Sequence, residues 1–135
     1  MKDLAILKSL LNLSNRGLAE QITTQFVSSD YMALNNEATI KGQIAGHEQG
    51  IVAIDRIQNK ELFTDVLAHI DNTTKHYNAH KARNQKELEA NKGFEVEATA
   101  SIAYYAAAIK TLAECKTEIL KLIPSQFDER GERIQ

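Results

Sequence analysis

Three histidines have the spacing that comes nearest to a metal site in this chain. His69, His76 and His80 are seven and four residues apart, so a helix would place them within about 40° of one another. An i, i+4 pair such as His76 and His80 can bind one metal ion. The usual further ligands are missing, because the chain contains neither Glu-x-x-His nor His-Glu-x-x-His. We therefore predict no metal and no other cofactor. The histidines are expected to form polar layers between helices or to be exposed. Metal binding by a helical protein is a possible function that ranks third, after the two described below.

Catalytic motifs are also absent from the sequence. There is no Gly-x-Ser-x-Gly, and the glycines at 42, 46 and 50 lack the Gly-Lys-Ser/Thr ending of a phosphate-binding loop. Cys115 is the only cysteine, and its neighbours Glu114 and Lys116 give no basis for a lowered pKa. We predict that the protein is not an enzyme.

Composition limits the class of protein. The chain has 135 residues, enough for one domain with a core of its own, and its formal charge of −2 gives no general attraction to nucleic acid or anionic membranes. No apolar run approaches the roughly 20 residues of a membrane span. A lone cysteine fits a reducing compartment. We expect no membrane association and a cytoplasmic location.

Helix breakers are few, which predicts an all-α fold. Pro124 is the only proline, and no segment alternates as a strand does. We predict one helical domain over residues 1–124, built as a long antiparallel helical hairpin with N-terminal helices, of bundle or coiled-coil type. Its first part is a set of N-terminal helices in 1–34, where an interruption at Ser14–Gly17 gives either a short helical pair or one kinked helix. The other parts are a long helix over 36–91 that is either continuous or broken near 59, a returning helix over 94–123, and a flexible charged tail over 125–135.

A ladder of small residues predicts one close contact between helices. Gly42, Gly46 and Gly50 are spaced four apart in a helical stretch, where each glycine costs roughly 0.5–1 kcal/mol relative to alanine. Such a stripe is explained if another helix packs closely against it. The alanine-rich returning helix is the candidate, through residues such as Ala103 and Ala107.

Heptad spacing in the second half of the long helix predicts the hairpin. Phe63, Ile70 and Tyr77 are seven residues apart, with Val66, Thr73 and His80 between them, and Asn84 and Asn91 continue the seam. Asn91-Lys92-Gly93 is typical of a helix end, so the chain would turn there and pack back on this seam.

The lengths of the helices predict self-association. A continuous helix over 36–91 has apolar residues on two sides, and a returning helix of about 30 residues covers only part of them. The remaining apolar surface predicts a homo-oligomer, most simply a dimer, and a non-catalytic interaction or assembly protein. The alternative architecture is a monomeric four-helix bundle with a break near residue 59.

Nucleic-acid binding is the alternative function. Cationic residues concentrate near the predicted hairpin tip, at Lys75, Lys81, Arg83, Lys86 and Lys92. An N-terminal helical unit followed by an oligomerising hairpin resembles the layout of phage small terminase subunits, which would imply a nucleic-acid-binding adaptor. The residue pattern from Asn15 to Tyr31 also has some likeness to a helix-turn-helix.

The polar C-terminal tail is a candidate docking peptide. Residues 125–135 contain two large apolar side chains, Phe127 and Ile134. We predict that these two residues are the anchors if the tail binds a protein partner.

Overall fold

A computed structural model describes residues 2–25, 31–90 and 95–122 of the chain. These residues form four helices, and residues 59–62 connect the second helix to the third. The helices are α1 (Lys2–Gln25), α2 (Tyr31–Gln58), α3 (Phe63–Ala90) and α4 (Glu95–Leu122). No strand occurs within these ranges, and the prediction of an all-α helical bundle is confirmed. The helix end predicted at Asn91–Gly93 and the tail over 125–135 lie outside the described residues.

Side-chain pairs fix the direction of each helix. Lys8 contacts Asp55 and Asn15 contacts His47, so α1 and α2 are antiparallel. Asp71 pairs with Lys116, and His80 stacks on Tyr105, so α3 and α4 form the antiparallel hairpin. In contrast, Gly42 lies against Tyr104 and Gly50 against Cys115, so α2 and α4 are parallel. The helices alternate in direction along the chain, and their most extensive contact is between the parallel pair α2 and α4.

Glycines make this parallel contact possible. A Cβ atom added at Gly42 would overlap the carbonyl oxygen of Tyr104 and lie 2.9 Å from the Cβ of Ala107. At Gly46 it would lie 2.7 Å from the Cβ of Thr111. All three glycines are buried, and Ala53 and Ile57 continue their stripe along α2. The close helix contact predicted from the glycine spacing is therefore made with α4 of the same chain.

A single apolar core draws on all four helices at one end of the bundle. Its side chains come from the first half of α1, the end of α2, the start of α3 and the second half of α4. Its buried members are Leu4, Leu11, Ala53, Ile54, Ile57, Val66, Ile70, Leu112, Cys115 and Ile119. The other end of the bundle is held by the α2–α4 contact and by the seam between α3 and α4, where Thr73, Tyr77, His80 and Asn84 are half-buried.

Of the two alternatives for residues 36–91, the break near residue 59 is the one observed, because the chain reverses at residues 59–62. The amide of Lys60 donates to the carbonyl of Ile57, and that of Glu61 donates to the carbonyl of Arg56, which together form a Schellman motif. Lys60 holds the left-handed position with φ of 67°. An ion pair of 2.7 Å between Arg56 Nε and Glu61 Oε2 joins the two positions where this motif usually has an apolar contact.

Two expectations are corrected by these helices. Of the two alternatives for the interruption at Ser14–Gly17, the short helical pair is wrong, since α1 is one helix from Lys2 to Gln25. The turn of the helix-turn-helix likeness, just before Tyr31, lies outside the described residues. The premise of the dimer prediction, a continuous helix over 36–91, is wrong, because α3 folds back and α4 packs against both α2 and α3. Self-association itself stays a prediction.

We predict opposite effects of alanine at two glycines. Gly42→Ala should lower the free energy of unfolding by about 1–3 kcal/mol, because the new methyl group meets backbone that cannot move aside. Gly17→Ala is the control, since nothing lies within 4 Å of a Cβ there, and it should raise the free energy by about 0.5–1 kcal/mol. Urea unfolding followed by circular dichroism measures both values. Equal effects of the two changes would contradict the close contact.

The turn between α2 and α3 gives a second prediction. Lys60→Gly should raise the free energy of unfolding by up to about 1 kcal/mol, because glycine adopts a positive φ without the strain of a side chain. Asn59→Gly, one residue earlier and without a positive φ, should lower it by about 0.5–1 kcal/mol. Thermal unfolding compares the variants, and a destabilised Lys60→Gly protein would argue against the observed turn.

Candidate interaction surfaces

Three large apolar side chains lie next to one another and are exposed on the outer face of α1. Ile6, Leu10 and Leu13 are 52%, 55% and 64% exposed. They follow one another at four and three residues, and with Ala5 and Ser9 they line a shallow, largely apolar groove. We call these five residues the α1 outer face. Single exposed leucines are ordinary in proteins, but a contiguous stripe of them is typical of an interaction site.

Helix α1 is apolar on two nearly opposite sides. Leu4 and Leu11, seven residues apart, enter the core. Ile6 and Leu13, also seven apart, are displaced from that first pair by two residues, which is 200° around a helix. The spacing of Leu4, Leu7, Leu10 and Leu11, three and four residues apart, is typical of one apolar stripe and conceals the outer face. Assigning each apolar residue of 1–13 to a helix side would have separated the two stripes.

Polar contacts attach α1 to α2 along its other side. Lys8 Nζ lies 2.7 Å from Asp55 Oδ1, and the Asn15 side-chain amide donates to the carbonyl of Ile44 at 3.4 Å. His47 Nδ1 and Asn15 Oδ1 are 2.8 Å apart. These contacts leave an open groove between the helices, where Ile44 and Ile51 lie beside polar residues such as Arg16 and Glu48.

Burial controls the chemistry of His47 and Cys115. The pKa of His47 is lowered mainly by its burial between α1 and α2, an effect that the charge of Glu114 on α4 partly opposes. The Cys115 thiol is 3% exposed, and burial raises its pKa to about 11, so it is a poor nucleophile near neutral pH. Its Sγ lies 4.0 Å from the carbonyl oxygen of Gly46, within the α2–α4 contact.

The histidines proposed as weak metal ligands have different surroundings. His80 stacks on the ring of Tyr105, with centroids 5.2 Å apart and an interplanar angle of 11°, whereas His76 is exposed. Tyr105 also contacts Tyr77 and Tyr104, and burial is the main cause that raises the pKa of both those phenols. Among the described residues, no group of three or more His, Cys, Asp or Glu side chains is arranged to hold a metal ion.

Three of the cationic residues proposed for nucleic-acid binding share one exposed side of α3. At about 100° per residue, Lys86 lies about 20° from Lys75, and Arg83 lies about 80° from Lys75 in the same direction. Lys81 points away from them, about 120° from Lys75 in the other direction, and Lys92 lies outside the described residues.

The small residues proposed for a helix contact divide into two groups. Gly42, Gly46, Gly50 and Ala107 lie in the α2–α4 contact. Ala103 instead lines a groove beside it, with residues such as Thr39 and Gln43 of α2. Because the glycine contact is closed within one chain, it does not present a surface to a second copy.

The tail residues Phe127 and Ile134 lie outside the described residues. Within the helices that the structure describes, none has the length and apolar character needed to cross a bilayer.

We predict a pH dependence of stability that arises from His47. Because its pKa in the folded protein lies below the ordinary value of 6.5, the folded state binds a proton more weakly than the unfolded state. The contribution of neutral His47 is therefore complete above pH 6.5 and is lost as the pH falls below it. Urea unfolding between neutral pH and about pH 5 should show a smaller loss for His47→Gln, which cannot titrate, than for the unmodified protein. Parallel losses in the two proteins would contradict the assignment.

The chain matches no protein-family model, no curated protein and no solved structure.

Proposed function

We propose that this chain is a non-catalytic interaction or assembly protein that self-associates, and that copies meet through the α1 outer face. The observation that carries the proposal is the exposure of Ile6, Leu10 and Leu13 together on one side of a helix. Their opposite side already packs in the core, so the exposed stripe is not required to hold α1 in place. We propose a reducing compartment, the cytoplasm, since the lone thiol is buried.

The energetics of this surface support a weak and reversible dimer. Full burial of a leucine or isoleucine contributes about 1.5–3 kcal/mol, so burying the exposed half of three such residues on each of two copies contributes about 5–9 kcal/mol. Association itself costs about 4–15 kcal/mol in lost freedom of motion. The two ranges overlap, which favours exchange between monomer and dimer over a permanent complex. A two-fold dimer is the simplest closed form.

Nucleic-acid binding, the alternative function, has less support. A protein that binds a phosphate backbone neutralises several phosphates, and within α3 only Lys75, Arg83 and Lys86 share a side. Lys81 points away from these three residues. We keep this alternative as an outcome of the experiment that follows.

We predict that charge on the α1 outer face prevents association. Sedimentation equilibrium from about 10 µM to about 1 mM, a range that brackets a micromolar to millimolar dissociation constant, should show a concentration-dependent mass for the unmodified chain. Leu10→Glu combined with Leu13→Glu should remain at the monomer mass of 15.1 kDa.

The matched control is Val96→Glu. Val96 is 39% exposed on α4, and a carboxylate in the first turn of a helix is well tolerated. This variant should associate as the unmodified chain does. A 15.1 kDa species at every concentration of the unmodified chain would overturn the proposal, and salt-dependent retention of that monomer on immobilised DNA would favour the alternative.

A further inference from the structure

We propose that residues 123–135 fold back onto the α1 outer face of the same chain and compete there with a second copy. This inference rests on the function proposed above and concerns the regulation of the same surface. It follows from where α4 ends, from how far the remaining chain can reach and from which of its side chains are apolar.

The end of α4 lies beside the beginning of α1. A side chain at Gly50 would meet Cys115 Sγ of α4 at 2.8 Å and Leu11 Cδ1 of α1 at 3.4 Å, so Cys115 and Leu11 lie at the same height in the bundle. Helices α1 and α4 are antiparallel. Moving seven residues from each, about 10.5 Å at 1.5 Å per residue, leads to Leu122 on α4 and Leu4 on α1, in the same direction. The chain therefore leaves α4 close to the first turns of α1.

The chain that follows is long enough to reach the outer face. Pro124 disfavours a straight continuation of α4, because it lacks an amide hydrogen and restricts the residue before it. Phe127 is five residues beyond Leu122, a reach of up to about 17 Å. Neighbouring helices are about 8–10 Å apart, so this reach suffices to pass around α1.

Apolar spacing in the tail matches that of the α1 outer face. Between Ser125 and Gln135 the large apolar residues are Phe127 and Ile134, seven apart; in a tail that binds as a helix they would lie about 10.5 Å apart on one side, as Ile6 and Leu13 do. We assign Phe127 to the Ile6 end and Ile134 to the Leu13 end, because the chain leaves α4 beside the first turns of α1 and has to turn back to run along that helix. The charged residues between the two anchors can stay in water on the far side of the tail.

A tail bound in this way sets the affinity of the dimer. Each copy must release its tail before the two α1 helices meet, so the apparent dissociation constant rises by the inverse of the uncovered fraction for each copy. If about nine in ten chains are covered, dimerisation weakens about 100-fold.

Anchor variants in the full chain test this competition. Phe127→Ser combined with Ile134→Ser should lower the apparent dimer dissociation constant by about 10-fold to 100-fold in sedimentation equilibrium. Arg130→Ser combined with Arg133→Ser is the matched control, which changes the same segment without touching an anchor and should leave the constant unchanged. An unchanged constant in the anchor variant would overturn the tail proposal. The Leu10→Glu, Leu13→Glu result judges self-association separately.

Disulfide formation tests the contact directly. In a chain with Ile6→Cys and Phe127→Cys, mild oxidation at low protein concentration should give an intramolecular disulfide, while native Cys115 stays buried. A chain with Lys75→Cys, on the outer side of α3, and Phe127→Cys is the control and should react more slowly. Mass spectrometry of the unreduced products distinguishes the outcomes. A rate equal to the control, or a disulfide between two chains, would overturn binding within one chain.

Discussion

The close contact between α2 and α4 is the interaction on which the rest of this structure depends. Side chains larger than hydrogen at Gly42, Gly46 and Gly50 would collide with the backbone or side chains of α4, so the stripe of glycines sets how near the two axes lie. This contact joins two parallel helices, which in a bundle of alternating direction are usually the diagonal pair. Cys115 lies within it, and its raised pKa is a consequence of the same close packing.

Bringing the diagonal pair together pushes the other two helices apart. Helix α1 packs mainly on α2, and α3 packs mainly on α4, while the backbones of α1 and α3 stay apart in the part of the chain that the structure describes. A helix at such an outer position is covered on fewer sides than a member of a square bundle. Helix α1 nevertheless has apolar residues on two sides, and only the side with Leu4 and Leu11 is buried. The uncovered α1 outer face is thus a consequence of the glycine contact.

This arrangement also changes what the chain offers to a partner. The glycine stripe was predicted to contact the returning helix, and α4 closes it within the folded chain. The exposed apolar surface on which the proposed assembly rests lies instead on α1, and α4 ends beside the first turns of that helix. On α3, an exposed side carries Lys75, Arg83 and Lys86, away from the seam with α4 in which His80 stacks on Tyr105.

The sequence by itself determined the all-α class, the helical hairpin with its seam from Phe63 to Asn84, and the need for a close helix contact at the glycines. Each of these follows from local spacing, because helix periodicity and the absence of breakers are properties of neighbouring residues. Only the tertiary structure decided that the chain reverses at Lys60, a position without the glycine that usually marks such a turn. It also decided which side of α1 is covered. Leu10 and Leu11 have the same side chain, and which of them enters the core depends on where α2 and α4 lie. That position is set by long-range contacts, which the spacing along one helix does not contain.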